Sequence, residues 1–557
     1  MQYQLISTNQ QLKQLRMGAK LAFDTETTHL DPRHGTVRLL SLYDGQQAVV
    51  IDLFRVDDKE TLNNLLSRPL LGYNAVFDLY HLQSIGLSPS LPYCALLGAT
   101  VLDGEVRTLA QRVKQYCGRE LSKTLQKSNW NTAHLSEAQL EYAAADSVAT
   151  WDLFHKLKPL IESHKQVRYY QQLRQMQPIM LHQFKYGIPF DGQRHSALVT
   201  EWEAEYVARR KALEEVLGCG VNPRSCKQLS EWLKDNLDDD QLTGWDKTAT
   251  GQLATSRGVL AQRLDVPIAA RLLAYREADK KVSCYGRKFA EKHVFEGRIY
   301  PHWRIAGARS GRFSCSSPNL QQSVARKDVR FRQCFRAPVG WKFVKADLNQ
   351  AEVRAAGLLS QDTVLLAMLR QGVDIHAQTA ASLGIDRATA KTCFFGLLYG
   401  QTPHGLCIIL KQTAGIDVTE LRAAEFQRGV LKMFPQLALR RNRWLFGPDI
   451  LETASGRTFR YVFNTHRRNL KINYPIQGTI ADVLIYALEQ LFPHLSEVVQ
   501  LSAHIHDELL LLVEESQVST AATHLKDALF GAWHHVFGDG HGMSEDSLIT
   551  LEIKDTW

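Results

Sequence analysis

The chain lacks the marks of membrane, secreted and disulfide-stabilised proteins. Its 557 residues contain no apolar run of about 18 or more residues, so no membrane-spanning helix is expected. The first residues, MQYQLISTNQQL, have neither a basic start nor an apolar stretch, so no secretory signal is expected. The nine cysteines are scattered without a CxxC pair, which predicts reduced thiols in a cytoplasmic protein.

The chain also has no internal repeat and no low-complexity linker, yet it is too long for one compact core. The usual size of roughly 100–200 residues per domain predicts about three or four units. The net charge of +8 suits a polyanionic partner and a mildly basic enzyme about equally. Basic residues cluster with aromatic ones, a mixture that suits phosphate contacts and base stacking, in segments 275–293, 325–336 and 440–444.

The order of apolar patterns predicts an α/β region, then a mostly helical region and a second sheet. Residues 20–23 and 49–54 indicate strands, the first ending in acids at Asp24, and helical patterns then dominate to about residue 165. Helical patterns return over about 166–290 and 361–445. Further strands are predicted in GRIYPHWRI (297–305), WKFVKADL (341–348) and LITLEIKDTW (548–557), with a hairpin whose turn carries His506, Asp507 and Glu508.

A first set of acids begins at the end of the first buried strand. Asp24 and Glu26 are two apart, so alternation puts both on one face. Carboxylate oxygens are the ligands that Mg²⁺ prefers, but acids at a strand end are more often solvated turn residues. Asp78 lies on a helical pattern with Asn74 one turn earlier, and Tyr142 and Asp146 are four apart on one face of another helix.

These pieces resemble, in order and spacing, the DnaQ-like 3′–5′ exonucleases. The matching segments are Asp24–Glu26, Asn74–Asp78 and Tyr142–Asp146, and LSKTLQKSNW (121–130) also looks like the family. The resemblance implies an RNase H-like α/β fold in which two divalent ions are held by the acids and Tyr142 orients the attacking water. Taken alone, this part of the chain fits an RNA-trimming enzyme equally well. The four implied metal ligands are Asp24, Glu26, Asp78 and Asp146.

A second pair of acids lies far along the chain. Asp347 ends an apolar strand and Asp507 lies in the predicted turn, and either alone is a common strand-end or turn residue. Between them a helical pattern carries two cations and then two aromatics on one face, which suits a nucleoside triphosphate. An amphipathic helix with a basic first turn is the alternative, although the helix dipole disfavours cations there. The four residues are Arg387, Lys391, Phe395 and Tyr399.

Together these segments resemble the three motifs of family A DNA polymerases, the class of bacterial polymerase I and several phage enzymes. The motifs stand here as DLNQAEVR (347–354), the stretch from Arg387 to Gly400, and IHDE (505–508). The resemblance implies an α+β right-hand polymerase after the exonuclease. The expected bounds are 1–165 for the exonuclease and 166–557 for the polymerase, with a thumb at about 195–300, a palm at about 300–357 and 446–557, and fingers at about 358–445.

The resemblance also implies what each residue does. Asp347 and Asp507 would hold two Mg²⁺ ions, with Mn²⁺ as a substitute at either site, and Glu508 would be an auxiliary catalytic acid. Lys391 would donate a proton to pyrophosphate, and Glu352 would exclude a 2′-hydroxyl. Phe395 predicts discrimination against dideoxynucleotides. The implied dNTP-binding residues are Arg387, Lys391, Phe395, Tyr399, His376, Glu352 and Gln350, and the implied DNA-binding residues are Arg312, Asn319, Gln321, Arg354, Asn473, Gln477 and His506.

The sequence departs from the family pattern around the second site. None of the departures removes a metal ligand, so we expect divergence in fidelity and in the grip on DNA with the chemistry unchanged. The departures are Leu348 and Asn349 in the first motif, Phe394 in the second, Gln322 in place of an asparagine, and Asn469 in place of an arginine, with Arg467 and Arg468 beside it.

Three other functions fit parts of the pattern. A single-subunit RNA polymerase shares the palm fold but lacks a proofreading exonuclease, and Glu352 argues against it. A ribonuclease with a decayed polymerase half would have lost Asp347 or Asp507, and a non-catalytic DNA-binding scaffold would not need six acids of metal-ligand type.

We expect a monomer that binds primer–template DNA and dNTPs but no membrane, and a helicase, a primase or a processivity factor are further expected partners. No 5′-nuclease domain is expected ahead of the exonuclease, and residues 200–290 leave no room for a long thumb insertion. This layout suggests a phage or phage-like replicative enzyme in the bacterial or phage-infected cytoplasm.

Overall fold

This computed structural model describes residues 2–218, 220–322, 328–459 and 469–557. Residues 325–327 of the second basic segment, and both Arg467 and Arg468, lie outside the described residues. Among the described helices, none combines the length and the apolar character that crossing a bilayer requires.

A six-stranded mixed sheet organises the first part of the chain. Strand β2 (Leu21–Thr27) lies inside it, antiparallel to β3 (Val37–Tyr43) and parallel to β5 (Leu70–Gly72). The other strands are β1 (Gln4–Ile6), β4 (Ala48–Asp52) and β6 (Tyr93–Cys94), giving the order β1-β4-β3-β2-β5-β6. The helices around the sheet are α1 (Asn9–Gln14), α2 (Lys59–Leu66), α3 (Val76–Ser84), α4 (Ala95–Asp103) and α5 (Leu109–Cys117).

Two long helices connect this sheet to the rest of the molecule. Helix α6 (Glu137–Ser163) begins at a capping box, in which Ser136 and Gln139 satisfy each other's backbone N–H groups. It packs across β2 and β3, so its residues from Tyr142 to Asp146 lie over the acids of β2. Helix α7 (Val167–Tyr186) follows and contacts both α3 and α4.

The next region is helical and has a small core of its own. Helices α8 (Gly192–Leu217) and α12 (Pro267–Tyr285) pack against each other along their length. The buried residues of this core include Leu213, Leu229, Leu233, Trp245, Leu260 and Leu272. The other elements are α9 (Cys226–Asn236), α10 (Asp239–Leu242), α11 (Arg257–Ala261), α13 (Arg287–His293) and the short strands β7 (Ile188–Pro189), β8 (Val294–Phe295) and β9 (Arg298–Ile299).

A four-stranded antiparallel sheet forms the centre of the second part. Its strands are β12 (Trp341–Leu348), β15 (Val499–Ile505), β16 (Glu508–Glu514) and β17 (Ile549–Lys554), in the order β15-β16-β12-β17. Helices α22 (Leu470–Leu491) and α23 (Val518–Phe537) pack on each other; α23 covers β12 and β16, while α22 and β15 contact α7. The central strand β16 is therefore buried at five consecutive positions, Leu509–Val513.

Short elements and a set of helices complete this part. The short strands pair as β10 (His302–Arg304) with β11 (Ser314–Ser316), and β13 (Leu451–Glu452) with β14 (Thr458–Phe459). The helices are α14 (Val329–Arg332), α15 (Ala351–Ser360), α16 (Thr363–Arg370), α17 (Ile375–Leu383), α18 (Arg387–Leu398), α19 (Pro403–Ala414), α20 (Glu420–Met433), α21 (Pro435–Phe446) and α24 (Glu545–Leu548).

Three local predictions from the sequence need correction. Strand β2 does not end at Asp24, because Asp24 and Glu26 still pair with Ser41 and Leu39 of β3. Asn74 does not lie in α3 but precedes it, with a φ of 57°. Glu508 is not a turn residue, since it is the first residue of β16.

Candidate active sites

The first carboxylate set lies where β2 meets α6. Asp24 and Glu26 lie on one face of β2, as predicted, and Asp146 comes from α6. One carboxylate oxygen from each of these three residues lies within 4.8 Å of the others, so together they can hold a cation. An all-oxygen donor set on a rigid strand and helix fits a hard divalent ion.

Asp78 joins this site from α3 and is almost completely buried. Its Oδ1 accepts hydrogen bonds from the backbone N–H of Thr25 at 3.1 Å and from the Thr25 hydroxyl at 2.6 Å. Thr25 lies between the two acids of β2, so this contact fixes α3 against the strand at the site. Burial raises the pKa of Asp24, and the charge of Asp78 is the next largest cause of the increase.

The four acids hold their protons more tightly than ordinary carboxyls. Burial raises the pKa of Glu26 to about 9, and the charge of Asp146 adds to the effect. Burial, followed by the charges of the neighbouring acids, raises the pKa of Asp24 well above its ordinary value. Burial also raises the pKa of Asp146, and it raises that of Asp78 to about 7 against the hydrogen bonds from Thr25. Because these like charges are gathered in a buried site, the site favours binding of a cation that balances them.

Lys123 completes this site, and it was missed in the sequence. Its Nζ lies 2.6 Å from Asp146 Oδ2, donates to the Tyr142 hydroxyl at 3.1 Å, and lies 5.1 Å from the centre of the Tyr142 ring. The residue belongs to the segment 121–130, whose resemblance was noted without a role for any of its residues. The sequence showed a lysine in that segment, but only the folded loop before α6 brings it into contact with Asp146.

The second carboxylate set lies at the end of the four-stranded sheet. Asp347 stands near the end of β12, directly opposite Glu508 of β16 in the antiparallel register. Asp507 lies in the two-residue turn between β15 and β16, and its carbonyl accepts from the Leu348 N–H at 3.1 Å. The strand pairing thus brings together two acids that are 160 positions apart in the sequence.

Burial raises the pKa of both acids. The pKa of Asp507 rises to about 7 through burial and then through the charge of Asp347, while Arg312 lowers it. The pKa of Asp347 rises through burial and then through the charge of Glu508, while Lys345 and Arg332 lower it. Two half-buried carboxylates with raised pKa values at one end of the sheet are suited to a divalent ion.

Helix α18 presents the predicted nucleotide face. Lys391 Nζ lies 5.9 Å from the Phe395 ring, and the rings of Phe395 and Tyr399 are 5.9 Å apart. Arg387 begins the helix and pairs with Asp374 at 2.6 Å, while Tyr399 lies one residue past the helix end as its cap. The four residues therefore share one face as predicted.

His376 and Glu352 approach this face from neighbouring helices. The His376 ring lies 5.6 Å from that of Phe395, and burial lowers the His376 pKa, which favours the neutral imidazole. Glu352 Oε1 accepts from Arg312 Nη2 at 2.5 Å. The Glu352 charge is also one cause of the raised pKa of Tyr399, after burial, so Glu352 and Tyr399 interact.

The residues predicted to bind DNA fall into different positions. Arg312, Gln321 and His506 line one small cavity together with Phe313, Ala481, Leu484 and His504. Gln477 is half-buried on α22, and Asn473, on the same helix, is buried with its Nδ2 lacking a partner among the described residues. Asn319 is exposed and accepts from the Gln321 N–H, and Gln350 is exposed at the start of α15.

Arg354, unlike the buried Asn473, uses its side-chain donors within the protein. It is buried, and its guanidinium donates to the carbonyls of Asn349 and Ser547, each at 2.8 Å. These bonds brace the turn after β12 from within the protein. We therefore leave Arg354 out of the proposed DNA contacts.

Comparisons with known proteins were consistent over most of the chain. Residues 193–536 match the family described as DNA polymerase family A, and residues 3–162 match the family described as 3′-5′ exonuclease. DNA polymerase I of Aquifex aeolicus is 28% identical over 540 residues, which cover 91% of each chain. The thermostable DNA polymerase I of Thermus filiformis is 32% identical over 71% of this chain, which spans 49% of that relative.

A solved structure shares the fold. It is described as the POL domain of Pol1 from M. smegmatis in complex with DNA primer-template and dNTP. The TM-score is 0.81 at 19% identity, and the match covers 99% of this chain and 98% of the other. These matches confirm the family, the fold class and the order of exonuclease and polymerase predicted from the sequence.

Proposed function

The chain belongs to family A of the DNA polymerases, and from that premise we propose how its two acidic sites divide the chemistry. It is a DNA-directed DNA polymerase with a 3′–5′ exonuclease domain. The proposal is that each site works with two Mg²⁺ ions, for which Mn²⁺ can substitute. The observation that carries it is the presence of two separate, at least half-buried carboxylate sets, one on β2 with α3 and α6 and one at the end of β12 and β16.

The exonuclease set would hold its ions through Asp24, Glu26, Asp78 and Asp146. When bound, two divalent ions stabilise both the attacking and the leaving oxygen of a displacement at phosphorus. The Tyr142 hydroxyl, kept protonated because burial and the nearby acids raise its pKa, orients the attacking water. Lys123, which bonds both Asp146 and Tyr142, holds this hydroxyl in position.

In the polymerase site Asp347 and Asp507 would hold the ions, with Glu508 as an auxiliary acid. Arg387, Lys391 and His376 bind the triphosphate, and Lys391 donates a proton to the departing pyrophosphate. Glu352, fixed by Arg312, closes the space that a 2′-hydroxyl would need. Phe395 and Tyr399 pack against the sugar and base, and Gln350, exposed at the start of α15, contributes a further dNTP contact.

We propose that primer and template run past the cavity lined by Arg312, Gln321 and His506. Asn319, Asn473 and Gln477 contribute further polar contacts. The proposed bounds are 1–165 for the exonuclease domain and 166–557 for the polymerase, with the thumb at about 195–300, the fingers at about 358–445 and the palm in the remaining segments. The small separate core within 213–275 supports a distinct thumb.

The cellular role proposed is replication by a monomer in the bacterial or phage-infected cytoplasm. DNA and dNTPs are its substrates, and a helicase, a primase or a processivity factor would work beside it. Copurification of such a partner on primed DNA would test this part independently of the chemistry.

The chemistry is tested by two single substitutions in one preparation scheme. Asp347→Asn should lower primer extension by roughly 10³-fold or more and leave degradation of single-stranded DNA unchanged. Asp24→Asn should do the reverse. The matched control is Asp417→Asn, an exposed acid between α19 and α20, which should change neither rate.

Each half of the proposal can fail separately. Extension by Asp347→Asn at the wild-type rate would rule out the proposed polymerase site. Degradation by Asp24→Asn at the wild-type rate would rule out the exonuclease site. Extension with ribonucleotides that equals extension with deoxynucleotides would favour an RNA polymerase instead.

A further inference from the structure

Trp557 reaches the polymerase carboxylates from the segment that follows β17. Its backbone N–H donates to the carbonyl of Phe335 at 3.0 Å, and its ring meets that of Phe335 edge to face at 5.1 Å. The preceding Thr556 forms an antiparallel bridge with Arg336. This segment is thus fixed beside residues 335–337, and its indole points to the end of the sheet where Glu508 lies.

The indole N–H of Trp557 makes a hydrogen bond to the Glu508 carboxylate. Trp557 Nε1 donates to Glu508 Oε1 at 2.8 Å. Arg332 Nη2 donates to the same oxygen at 3.1 Å, and the Arg332 guanidinium lies 4.7 Å from the centre of the Trp557 ring. Lys345 lies 3.7 Å from the other Glu508 oxygen. Glu508 is therefore held by hydrogen bonds from Trp557 and Arg332 and by an ion pair with Lys345, and its side chain is only 13% exposed.

The position of Glu508 matters because it faces Asp347. Residues directly opposite in an antiparallel pair have Cβ atoms about 5 Å apart on the same face of the sheet. Asp347 and Glu508 are such a pair. An unrestrained Glu508 carboxylate could rotate toward Asp347 and compete for its cation, whereas a restrained one leaves Asp347 in a single arrangement.

We propose that Trp557 is a positioning residue for polymerisation, which acts by holding Glu508 in one orientation beside Asp347. The inference rests on the proposed role of Asp347 and Asp507 as ligands of the polymerase ions. Trp557 touches neither substrate nor ion in this proposal. Its effect is expected on turnover and on the Mg²⁺ requirement of extension, and not on dNTP affinity or on the exonuclease.

The test removes the N–H and keeps the ring. Trp557→Phe should lower kcat for primer extension about tenfold and raise the half-saturating Mg²⁺ concentration by a similar factor, since hydrogen bonds to charged groups are the stronger class. The KM for dNTP and the rate of single-strand degradation should stay within about twofold of wild type. Trp557→Tyr, which restores a donor on an aromatic ring, should recover part of the lost kcat.

Two comparisons separate positioning from packing. Trp341→Phe, at the other end of β12, is the matched control, because the Trp341 side chain makes no hydrogen bond among the described residues, and it should behave as wild type. In a Glu508→Ala background, adding Trp557→Phe should change extension less than about twofold, because the contact is already lost.

Several results would overturn the inference. One such result is primer extension by Trp557→Phe at the wild-type rate. Another is a loss of extension from Trp557→Phe that is as large in the Glu508→Ala background as in the wild type. A third is an equal loss of kcat in Trp557→Phe and Trp557→Tyr. Loss of both activities in Trp557→Phe would also overturn it, because the indole would then serve the fold as a whole. Failure of the proposed function is distinguishable, since it would appear as wild-type extension by Asp347→Asn.

Discussion

The exonuclease and polymerase sites use the same carboxylate chemistry in different charge surroundings. In the exonuclease site the acids raise one another's pKa, and Lys123 is the cation that lowers the pKa values of Asp24, Glu26 and Asp146. In the polymerase site more cations lie near the acids. The cations that lower the pKa values of Asp347 and Asp507 are Arg312, Arg332 and Lys345.

This difference indicates how each site depends on its ions. Like charges gathered in a buried space must be balanced by protons or by cations, and a metal ion must displace those protons in order to bind. The exonuclease site, with one lysine against several acids, should therefore respond strongly to pH and to divalent ions. The polymerase site is partly balanced by the protein's own cations and should respond less.

The largest difference expected between the two sites is in the Mg²⁺ requirement of their activities. Burial raises the pKa of Glu26 to about 9, so below that pH a metal ion must displace a proton in order to bind. For one displaced proton, the half-saturating Mg²⁺ concentration should fall about tenfold per unit rise in pH, or about a hundredfold from about pH 6.5 to 8.5. For extension the dependence should flatten above pH 7, since the pKa of Asp507 is about 7. Mg²⁺ titrations of both activities at several pH values measure this. Equal slopes for the two activities would break the comparison.

A smaller effect is expected from the lysine of the exonuclease site. Lys123→Met removes the cation that bonds Asp146 and Tyr142, and should lower single-strand degradation by roughly 10- to 100-fold with extension unchanged. Lys127→Met, four residues later and exposed, is the matched control. An unchanged degradation rate in Lys123→Met would show that the acids do not need this cation.

On the polymerase side, Phe395→Tyr should increase dideoxynucleotide incorporation about tenfold relative to deoxynucleotides. A tyrosine hydroxyl at this position can supply the hydrogen bond that the missing 3′-hydroxyl no longer makes, and one such bond corresponds to about a tenfold factor. Competition between a dideoxynucleotide and its deoxynucleotide in primer extension measures the ratio. Equal use of both by the wild-type enzyme would contradict the prediction, and the exonuclease should be unaffected.

The smallest effect is expected on stability without divalent ions. The pKa of Glu26 is raised in the fold, so between about pH 4.5 and 9 the folded protein holds more protons than the unfolded chain. The free energy of unfolding therefore falls as pH rises through this window. Glu26→Gln removes that titration and should be more stable than wild type by about 1 kcal/mol at pH 8, with the gain disappearing near pH 4.

Thermal unfolding with a chelator, at pH 4 and pH 8, measures this difference. Asp347→Asn should show a smaller gain, because cations already balance that site in part. A gain for Glu26→Gln that did not depend on pH would point to packing and not to charge.

Many residues of the candidate sites could be predicted because they recur at a regular spacing along a single strand or helix. Alternation along β2 placed Asp24 and Glu26 on one face, and the four-residue spacing placed Lys391 and Phe395 on one face of α18. The resemblance implied that Arg354 binds DNA, but the same side chain can turn outward to DNA or inward to backbone carbonyls. Packing against residue 547 decided that it turns inward.

The sequence by itself determined the two sets of acids, their family and the kind of chemistry, because ligand type and spacing on one strand or helix are local properties. Only the tertiary structure decided which charges surround each set. Lys123 meets Asp146 across a loop, and both Trp557 and Arg332 meet Glu508 from separate segments, 49 and 176 positions away. Such contacts depend on how sheets and helices pack, so they cannot be predicted from the spacing of residues along the chain.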